Sequence, residues 1–437
     1  ATNSKLASGK WVRVAVDHSG MHCVTESQLR GWGFADPQKV KVYGYGAKRL
    51  PDVLDRSYVD DLPQTASEWV SGKGVFFYAE GPVGWEQSAT DYFVPVQNPF
   101  TDRGYYFLSD SGDEARLSPV STGIASVSGD TERVFYDRLY HEQDLESPGE
   151  AGFLLVGEDF RYTPSRTFQF QLTDRALDFP VRMESAFVVK SVTGSSSLSF
   201  TVNGQSLPQV SGDNISKVTD KYSHGNQGVS RREFEGGGGT LTVGLTFKSG
   251  SSVSLAALNY IAINYPRELR LPGDKHLVFY LTASQRQVSL RGAGEQTRVW
   301  DVTDTRNVGR VEVGLSGNEA VWRSTVAGAR TYAAWEPGGK LPSPVFVESV
   351  RNQNLHSLAT ADMVIFTMNE WKSQAERVAE FHRNDAVAPL EVVVLTPQEV
   401  YNEFSSGVAD AQSFRKLLKM MYDRGLQGHG KQLKYAL

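Results

Sequence analysis

The fold of the C-terminal part of the chain is decided by one stretch, Ala361-Asp362-Met363-Val364-Ile365-Phe366-Thr367. Its apolar residues follow one another without polar alternation, which is typical of a parallel strand buried on both faces. Two further apolar runs, residues 390–395 and residues 434–437, have the same character. The pattern therefore predicts three parallel strands within residues 360–437.

Helical patterns separate these strands. Ser373, with Glu376 three residues later, predicts a capping box at the start of a first helix. Thr396-Pro397-Gln398-Glu399 predicts a second helix, with threonine as the N-cap and proline at the first helical position. Asp410 is predicted to cap a third helix and Gly425 to end it. The resulting β-α-β-α-β order predicts a parallel α/β sheet.

The chain stops on the third apolar run, Lys434-Tyr435-Ala436-Leu437. A sheet that stops on a buried strand is incomplete, because such a strand needs cover on both faces. We therefore interpret residues 360–437 as the truncated first part of a larger α/β domain. We expect its catalytic residues to follow Leu437.

Length and composition exclude several classes of protein. The 437 residues are enough for about two to four domains. The formal net charge of -5 is spread over a mixed surface, which argues against a nucleic-acid stripe or a polybasic membrane patch. No apolar run is long enough to span a bilayer. The single cysteine excludes an internal disulfide, which fits a cytosolic protein or an exported one with large β cores.

Three β-rich modules are predicted before the α/β segment. Residues 1–110 form an N-terminal β-rich module that opens with a hairpin of residues 10–16 and 21–24. Residues 115–270 form a β-sandwich or jelly roll, with a hairpin at Asn203-Gly204 and a period-two apolar stripe along residues 241–247. Residues 272–350 form a second, smaller β module.

Two residues have the chemistry of a cysteine peptidase, namely Cys23 and His429. Cys23 follows His22, but neighbours on a strand point to opposite faces, so these two cannot form a dyad. A dyad of Cys23 with a distant histidine stays open, but no pattern supports it, and we interpret Cys23 as a structural cysteine, since free cysteines are often buried. His429 lies in Gly428-His429-Gly430, whose position between a helix and a strand predicts an ordinary connecting loop.

Clustered carboxylates leave a structural calcium site open. Asp110, Asp113 and Glu114 could ligate calcium, but they lack the spacing of a calcium-binding loop, and a polar linker is the favoured interpretation. Asp301 and Asp304 either meet a cation or close a turn at the end of a strand. No other metal-binding or catalytic motif is present.

Several stretches, in the same order along the chain, resemble the gingipain-like cysteine peptidases and, within them, the sortases of the type IX secretion system. In the N-terminal module these stretches are Val40-Lys41-Val42-Tyr43-Gly44-Tyr45-Gly46, Phe77-Tyr78-Ala79-Glu80-Gly81-Pro82, Asn98-Pro99-Phe100 and Gly104-Tyr105-Tyr106-Phe107-Leu108. In the middle they are Glu132-Arg133-Val134-Phe135-Tyr136, Leu139-Tyr140-His141-Glu142, Asn259-Tyr260-Ile261, Trp300-Asp301-Val302-Thr303-Asp304 and Asn352-Gln353-Asn354-Leu355-His356. In the tail they are Ala361-Asp362-Met363-Val364-Ile365, Gln374-Ala375-Glu376-Arg377, and Val400-Tyr401-Asn402-Glu403-Phe404-Ser405-Ser406-Gly407 with Asp410.

The resemblance implies a caspase-like peptidase domain with a Cys–His dyad, preceded by β domains. It implies a bacterial cell-surface enzyme, held at the outer membrane by a β-barrel partner after removal of a signal peptide. Such an enzyme removes the C-terminal signal from secreted cargo and attaches the cargo to lipopolysaccharide. It requires no cofactor, although a structural calcium ion is possible.

The family places both dyad residues after the strand that begins at Lys434. Neither Cys23 nor His429 lies there, so no catalytic residue is assigned, and we expect this chain to be inactive alone. The alternative is a non-catalytic surface module that binds or docks a glycan or a protein partner. Aromatic side chains are the candidates for a sugar-binding platform: Tyr43, Tyr45, Trp85, Tyr105 and Tyr106.

Overall fold

The structure, a computed structural model, describes residues 1–54, 60–123, 130–149, 154–191, 193–212, 226–282, 286–324 and 326–437. The described residues are mainly β as far as Val350 and end with the start of an α/β domain, as the sequence predicts. None of the helices in these ranges has the length and apolar character needed to cross a membrane.

The described part of the N-terminal module, residues 1–54 and 60–110, contains nine strands and one α-helix. They are β1 (Trp11–Val16), β2 (Gly20–Thr25), α1 (Glu26–Gly31), β3 (Lys41–Tyr43), β4 (Gln64–Thr65), β5 (Ser67–Val70), β6 (Gly74–Ala79), β7 (Val83–Ala89), β8 (Tyr92–Gln97) and β9 (Gly104–Ser109). One sheet contains β1, β9, β3 and β4 in this order, and a second contains β2, β6 and β5. Val12, Val14, Val24 and Phe77 belong to the core that the two sheets share.

The predicted opening hairpin is wrong. β1 pairs with β9 and β2 pairs with β6, so the turn after Val16 carries the chain from one sheet to the other. The physical reason is that all six residues of β1 are buried, which requires cover on both faces and neighbours on both sides. Trp11 packs in a separate cluster on the opposite face of the sheet from Val12 and Val14.

The middle of the chain forms a sandwich of two four-stranded sheets. The strands of this region are β10 (Val120–Ser121), β11 (Thr131–Glu132), β12 (Val134–Glu142), β13 (Ser165–Gln171), β14 (Val181–Lys190), β15 (Ser196–Val202), β16 (Gln205–Gly212), β17 (Asn226–Phe234), β18 (Thr240–Lys248) and β19 (Leu255–Glu268). The sheet orders are β12-β19-β14-β17 and β13-β18-β15-β16. The apolar stripe of β18 is buried between them, as predicted. Asn203 (φ 49°) and Gly204 (φ 81°) form the predicted tight turn between β15 and β16.

In the described residues between the sandwich and residue 350, eight further strands follow. They are β20 (His276–Leu281), β21 (Gln287–Arg291), β22 (Arg298–Asp301), β23 (Gly309–Val311), β24 (Gly314–Ser316), β25 (Glu319–Arg323), β26 (Arg330–Trp335) and β27 (Val345–Val350). Seven of them form two sheets that also take up strands from before the sandwich, in the orders β10-β23-β22-β26-β20 and β11-β21-β25-β24. β27 instead pairs with β1, so the last strand of the predicted 272–350 module completes the N-terminal sheet.

The C-terminal segment has the predicted parallel sheet. Its elements are β28 (Met363–Phe366), α2 (Lys372–Arg383), β29 (Val392–Leu395), α3 (Pro397–Phe404), α4 (Gln412–Leu426) and β30 (Tyr435–Ala436). β29, β28 and β30 lie side by side in this order, and both pairings are parallel.

Two of the predicted helix signals in this segment are wrong. α2 begins after Trp371 without a side-chain cap, and the Ser373 hydroxyl donates to Gln374 instead. α4 continues past Gly425 to Leu426, and Gly428, with φ 80°, takes the left-handed conformation that follows the helix. Thr396 forms the predicted capping box with Glu399. At α4 the N-cap residue is Ala411, which has no side-chain cap, and Asp410, one residue before it, accepts from the Gln412 amide at 2.8 Å.

Candidate functional site

Three acid–base side chains from distant parts of the chain meet where the N-terminal module packs on the α/β segment. They are Asp61, His356 and Glu403, and one ligand atom of each lies within 4.8 Å of the others. Within the ranges that the structure describes, no other group of three such residues has this arrangement. We therefore treat this cluster as the candidate functional site.

Local folding explains why Glu403 points inward. The capping box fixes the start of α3, because both the amide and the hydroxyl of Thr396 donate to Glu399 at 2.7 Å. Val400 and Phe404 are buried on one face of this helix. Glu403 lies three residues after Val400 and so shares that face. A carboxylate in this position must find partners within the protein.

The partners of Glu403 come from the turn that precedes β28. Its Oε1 accepts from the Leu355 amide at 2.8 Å and from the side-chain amide of Gln353 at 2.9 Å. Its Oε2 accepts from the amide of His356 at 3.1 Å and lies 2.6 Å from Nδ1 of His356. Four donors therefore surround one buried carboxylate, and His356 uses both its backbone and its ring.

The ring of His356 is held on its flat face as well. It stacks on Phe404, with 4.6 Å between ring centroids and 11° between planes. Its Nδ1 lies 3.9 Å from Oδ1 of Asp61. Burial raises the pKa of Asp61, although the Lys5 and Leu62 amides and the charge of His356 act in the opposite direction. Asp61 is thus poorly solvated and depends on the junction for its stabilisation.

The arrangement orients an imidazole but does not bring the single thiol of the chain to it. The Nε2 atom of His356 is buried and has no hydrogen-bond partner in the described part of the chain. His356 borders a cavity of about 470 Å³, together with Arg424 and His429. When one ring nitrogen of a histidine donates a hydrogen bond to a carboxylate, the other ring nitrogen is left able to accept a proton. Cys23 does not line this cavity.

The cluster also has the donor types of a transition-metal site. One imidazole nitrogen and two carboxylates suit zinc or manganese better than calcium, which prefers oxygen ligands. However, the 2.6 Å contact between His356 Nδ1 and Glu403 Oε2 is a hydrogen bond. A cation would have to displace the proton in this bond before it could bind both residues.

Ser406 lies at the same junction between the N-terminal module and the α/β segment. Its hydroxyl accepts from the Tyr45 amide at 3.1 Å and donates to the carbonyl of Tyr105 at 3.0 Å. Ser406 has φ 54°, so its backbone is in the left-handed region that a serine rarely adopts. The Tyr45 hydroxyl donates to the carbonyl of Phe404 at 3.2 Å. The junction therefore fixes the start of the loop that follows α3.

The two residues with peptidase-like chemistry lie apart from this cluster. Cys23 packs with the apolar residues around Phe76, and burial raises the pKa of its thiol to about 12. His22 lies on the opposite face, near Phe77, and burial lowers its pKa to about 4. The two side chains cannot pair, as predicted. His429 is exposed in its loop and shares only the cavity with His356.

Of the carboxylates considered for calcium, Glu114 has side-chain partners within the protein. Glu114 accepts from the Tyr43 hydroxyl at 2.6 Å and pairs with Lys5 at 2.9 Å. The ammonium group of Lys41 donates to the carbonyls of Gly112 and Glu114, at 2.9 and 3.1 Å. A positive charge thus already occupies this loop.

Asp301 and Asp304 stabilise turns. Asp301 accepts from the amide and the hydroxyl of Thr303, and Asp304 accepts from the Arg306 amide and the Asn307 side chain.

Three of the five aromatic side chains considered for a sugar platform, Tyr43, Tyr106 and Trp85, do not share one surface. Tyr43 and Tyr106 are buried in two different cores. Trp85 is partly exposed, but its neighbour Tyr140 meets it edge to face, with 78° between the ring planes. A flat stacking surface requires rings that lie in one plane, and this pair does not provide it.

Sequence reasoning did not single out Asp61, His356 or Glu403 as site residues. Asp61 is far from the other two in the sequence, and no local pattern connects them. One signal was present: Glu403 lies on the helical face of Val400 beside Phe404, where a buried carboxylate needs a partner. His356 was named only as the last residue of Asn352-Gln353-Asn354-Leu355-His356, one of the stretches that resemble the family.

Comparison with known proteins gives two findings. The family model described as Peptidase family C25 matches residues 356–437. The structure is similar to the crystal structure of dimeric latent PorU from Porphyromonas gingivalis, with a TM-score of 0.86 and 27% sequence identity, over 98% of this chain and 40% of that chain. The chain therefore spans less than half of the length of that protein. No curated protein sequence matches it.

Other solved structures are similar only in part. A carbohydrate-binding module in complex with calcium and xylotriose has a TM-score of 0.17 and 9% identity, over 23% of this chain and 71% of that chain. The insecticidal delta-endotoxin Cry8Ea1 from Bacillus thuringiensis has a TM-score of 0.23 and 9% identity, over 59% of this chain and 54% of that chain. Similarity at this level supports no conclusion about this chain.

Proposed function

The chain belongs to the PorU-like, gingipain-type family of cysteine peptidases, and from this premise we propose that it is the N-terminal portion of a cell-surface sortase of the type IX secretion system. The parent enzyme would remove the C-terminal signal from secreted cargo and attach the cargo to lipopolysaccharide. The observation that carries the proposal is the structural similarity to PorU, with a TM-score of 0.86 over 98% of this chain.

The chemistry requires a cysteine thiolate beside a base. The thiolate attacks the peptide carbonyl to form a thioester, which water or an amine then resolves. Cys23 does not meet this requirement, because burial raises its pKa to about 12 and the thiol stays protonated at neutral pH. We therefore place the catalytic dyad of the parent enzyme outside residues 1–437.

The role proposed for this chain is to fix the first strands of the peptidase sheet and to contribute to the path of the cargo. A cleft of about 690 Å³ is lined by residues of β27, by Asn369 after β28 and by Thr396 after β29. Ligands of parallel α/β sheets bind at the carboxyl ends of the strands, and Asn369 and Thr396 lie at these ends. We propose that cargo passes along this cleft, with a β-barrel protein holding the enzyme at the outer membrane.

The proposal is tested in the organism that encodes the chain. Deletion of the gene should leave secreted cargo with its C-terminal signal, measured as intact mass, and without attached lipopolysaccharide. A parent enzyme that carries Cys23→Ala should restore normal processing. Normal cargo in the deletion strain would contradict the proposal. Cleavage of cargo by the isolated 437-residue chain, abolished by Cys23→Ala, would show that the catalytic cysteine is Cys23 and that our placement of the dyad is wrong.

A further inference from the structure

A pocket of about 280 Å³ lies where three parts of the protein meet. Phe93 comes from β8, Arg138 from β12 and Tyr280 from β20. The guanidinium carbon of Arg138 lies 4.0 Å from the centre of the Phe93 ring and 3.8 Å from that of Tyr280, with the Trp85 ring at 5.8 Å. Aromatic rings hold the flat faces of the cation, which leaves its N–H groups directed outward in its plane.

The charge of Arg138 is not neutralised by a neighbouring carboxylate. Asp137 is adjacent in sequence, but its carboxylate accepts from Arg267 at 2.8 Å and from the Tyr265 hydroxyl at 3.2 Å. Glu132, at the edge of the pocket, accepts from Arg286 at 2.7 Å. No residue in the described ranges accepts a hydrogen bond from the guanidinium of Arg138. Its donors are therefore available to a ligand.

The residues that form the walls of the pocket are held in place by neighbouring strands. The side-chain amide of Asn264 accepts from the backbone N–H of Phe93 at 2.6 Å and donates to its carbonyl at 2.9 Å. Arg138 lies within the long pairing of β12 with β19, and Tyr280 within that of β20 with β26. A site whose cation and rings are already positioned loses little conformational entropy when it binds.

We propose that this pocket binds a carboxylate carried on an apolar group. The planar guanidinium of Arg138 donates two parallel hydrogen bonds to the carboxylate, the geometry for which arginine is suited. The apolar group packs against the other side chains that line the pocket, among them Phe135, Phe179 and Leu281. A dianionic phosphate fits less well, because Arg286 is paired with Glu132 and only one guanidinium is open.

This proposal is independent of the assignment to a sortase, and isothermal titration calorimetry on the full chain tests it. The probes are N-acetyl-L-phenylalanine and its amide, which differ only in the carboxylate. We expect saturable binding of the acid, and binding of the amide that is about ten- to a hundredfold weaker, the loss typical of one charge-assisted bidentate contact. Equal affinity for acid and amide, or no binding of the acid, would overturn the proposal.

Variants locate the site. Arg138→Met should weaken binding of the acid to the level of the amide, and Arg138→Lys should keep the charge but lose the paired geometry and bind with intermediate affinity. Arg310→Met removes an exposed arginine that does not line the pocket, and it should bind as the parent chain does. Unchanged affinity in Arg138→Met would exclude the pocket. The comparison of acid and amide needs no variant, so it stands even if Arg138→Met fails to fold.

The same titration distinguishes the source of the carboxylate. 3-Phenylpropionate presents a free small acid, whereas the peptide Ala-Ala-Ala-Phe with a free C-terminus presents the end of a chain. Both should bind better than their amides. Tighter binding of the peptide than of 3-phenylpropionate would assign the pocket to a polypeptide terminus, and equal binding would assign it to small carboxylic acids.

Discussion

The Nδ1 atom of His356 lies 2.6 Å from Oε2 of Glu403, and both side chains are completely buried. This contact ties the turn before β28 to α3. Neither group is accessible to water, so each depends on the other for its hydrogen bond. Asp61 extends the contact to the N-terminal module. The peptidase-like segment is thus joined to the β-rich part of the chain through polar groups that are costly to separate.

Replacing Glu403 with alanine should destabilise the protein strongly. The substitution leaves the His356 ring and the amides of Leu355 and His356 without their acceptor. Breaking a buried polar pair in this way costs about 3–5 kcal/mol. We expect a loss of this size in the free energy of unfolding, measured in urea.

The matched control for this prediction is Glu376→Ala. Glu376 pairs with Arg383 at 3.0 Å on the exposed side of α2. An exposed pair contributes at most about 1 kcal/mol. Equal losses for the two variants would show that the buried contact does not stabilise the junction.

Two histidines should make the stability of the protein depend on pH. Burial lowers the pKa of His22 and of His276 to about 4, from an ordinary value of 6.5. The unfolded chain therefore binds protons more readily than the folded one between these values. The contribution of these two histidines to the free energy of unfolding should be constant above about pH 6.5 and should fall between about pH 6.5 and pH 4, by up to about 3 kcal/mol for each. Urea unfolding across this range measures the loss.

Substitutions test whether His276 contributes to this pH dependence. The Nε2 of His276 accepts from the Met21 amide at 3.0 Å, and glutamine can supply an acceptor in its place. His276→Gln should reduce the slope of stability against pH, whereas His429→Gln, at an exposed position, should leave it unchanged. An identical slope in His276→Gln and in the parent chain would refute this assignment.

Local patterns predicted the C-terminal segment better than the N-terminal module. The parallel strands and the box at Thr396 depend on residues close in sequence, and the structure confirms them. The hairpin predicted at the N-terminus failed because β1 pairs with β9 and with β27, which begins more than 300 residues later. The Asp61–His356–Glu403 cluster could not be predicted for the same reason, since only the folded chain brings these residues together.

Removing the hydroxyl of Ser406 should weaken the junction. Ser406→Ala leaves the Tyr45 amide without its acceptor at a partly buried position. An unsatisfied buried donor costs about 1–3 kcal/mol. Ser406→Gly also loses the hydroxyl, but glycine adopts φ 54° without strain, so its loss should be smaller by up to about 1 kcal/mol.

Chemical denaturation of the two Ser406 variants measures the difference. Ser357→Ala is the control, because the Ser357 hydroxyl is exposed and donates to the carbonyl of Asn354. This control should lie within about 0.5 kcal/mol of the parent chain. A loss in Ser406→Ala no larger than that in Ser357→Ala would contradict the proposed role of the hydroxyl.

Calcium should not stabilise the loop that contains Asp110, Asp113 and Glu114. The ammonium group of Lys41 already bonds to two carbonyls there, and Glu114 is engaged by Lys5 and Tyr43. We expect the same melting temperature in millimolar calcium and in EDTA. A higher melting temperature in calcium, abolished by Asp113→Asn, would show that this loop binds the ion.

Cys23 should react slowly with thiol reagents in the folded protein. The thiolate is the reactive form, and burial raises the pKa of this thiol to about 12, so almost none is ionised at pH 7.5. Ellman's reagent should therefore modify the folded chain far more slowly than the chain unfolded in urea, in which one thiol should react at the rate of a free cysteine. Rapid modification of the folded chain would show an accessible thiolate. Cys23 would then again be a candidate nucleophile.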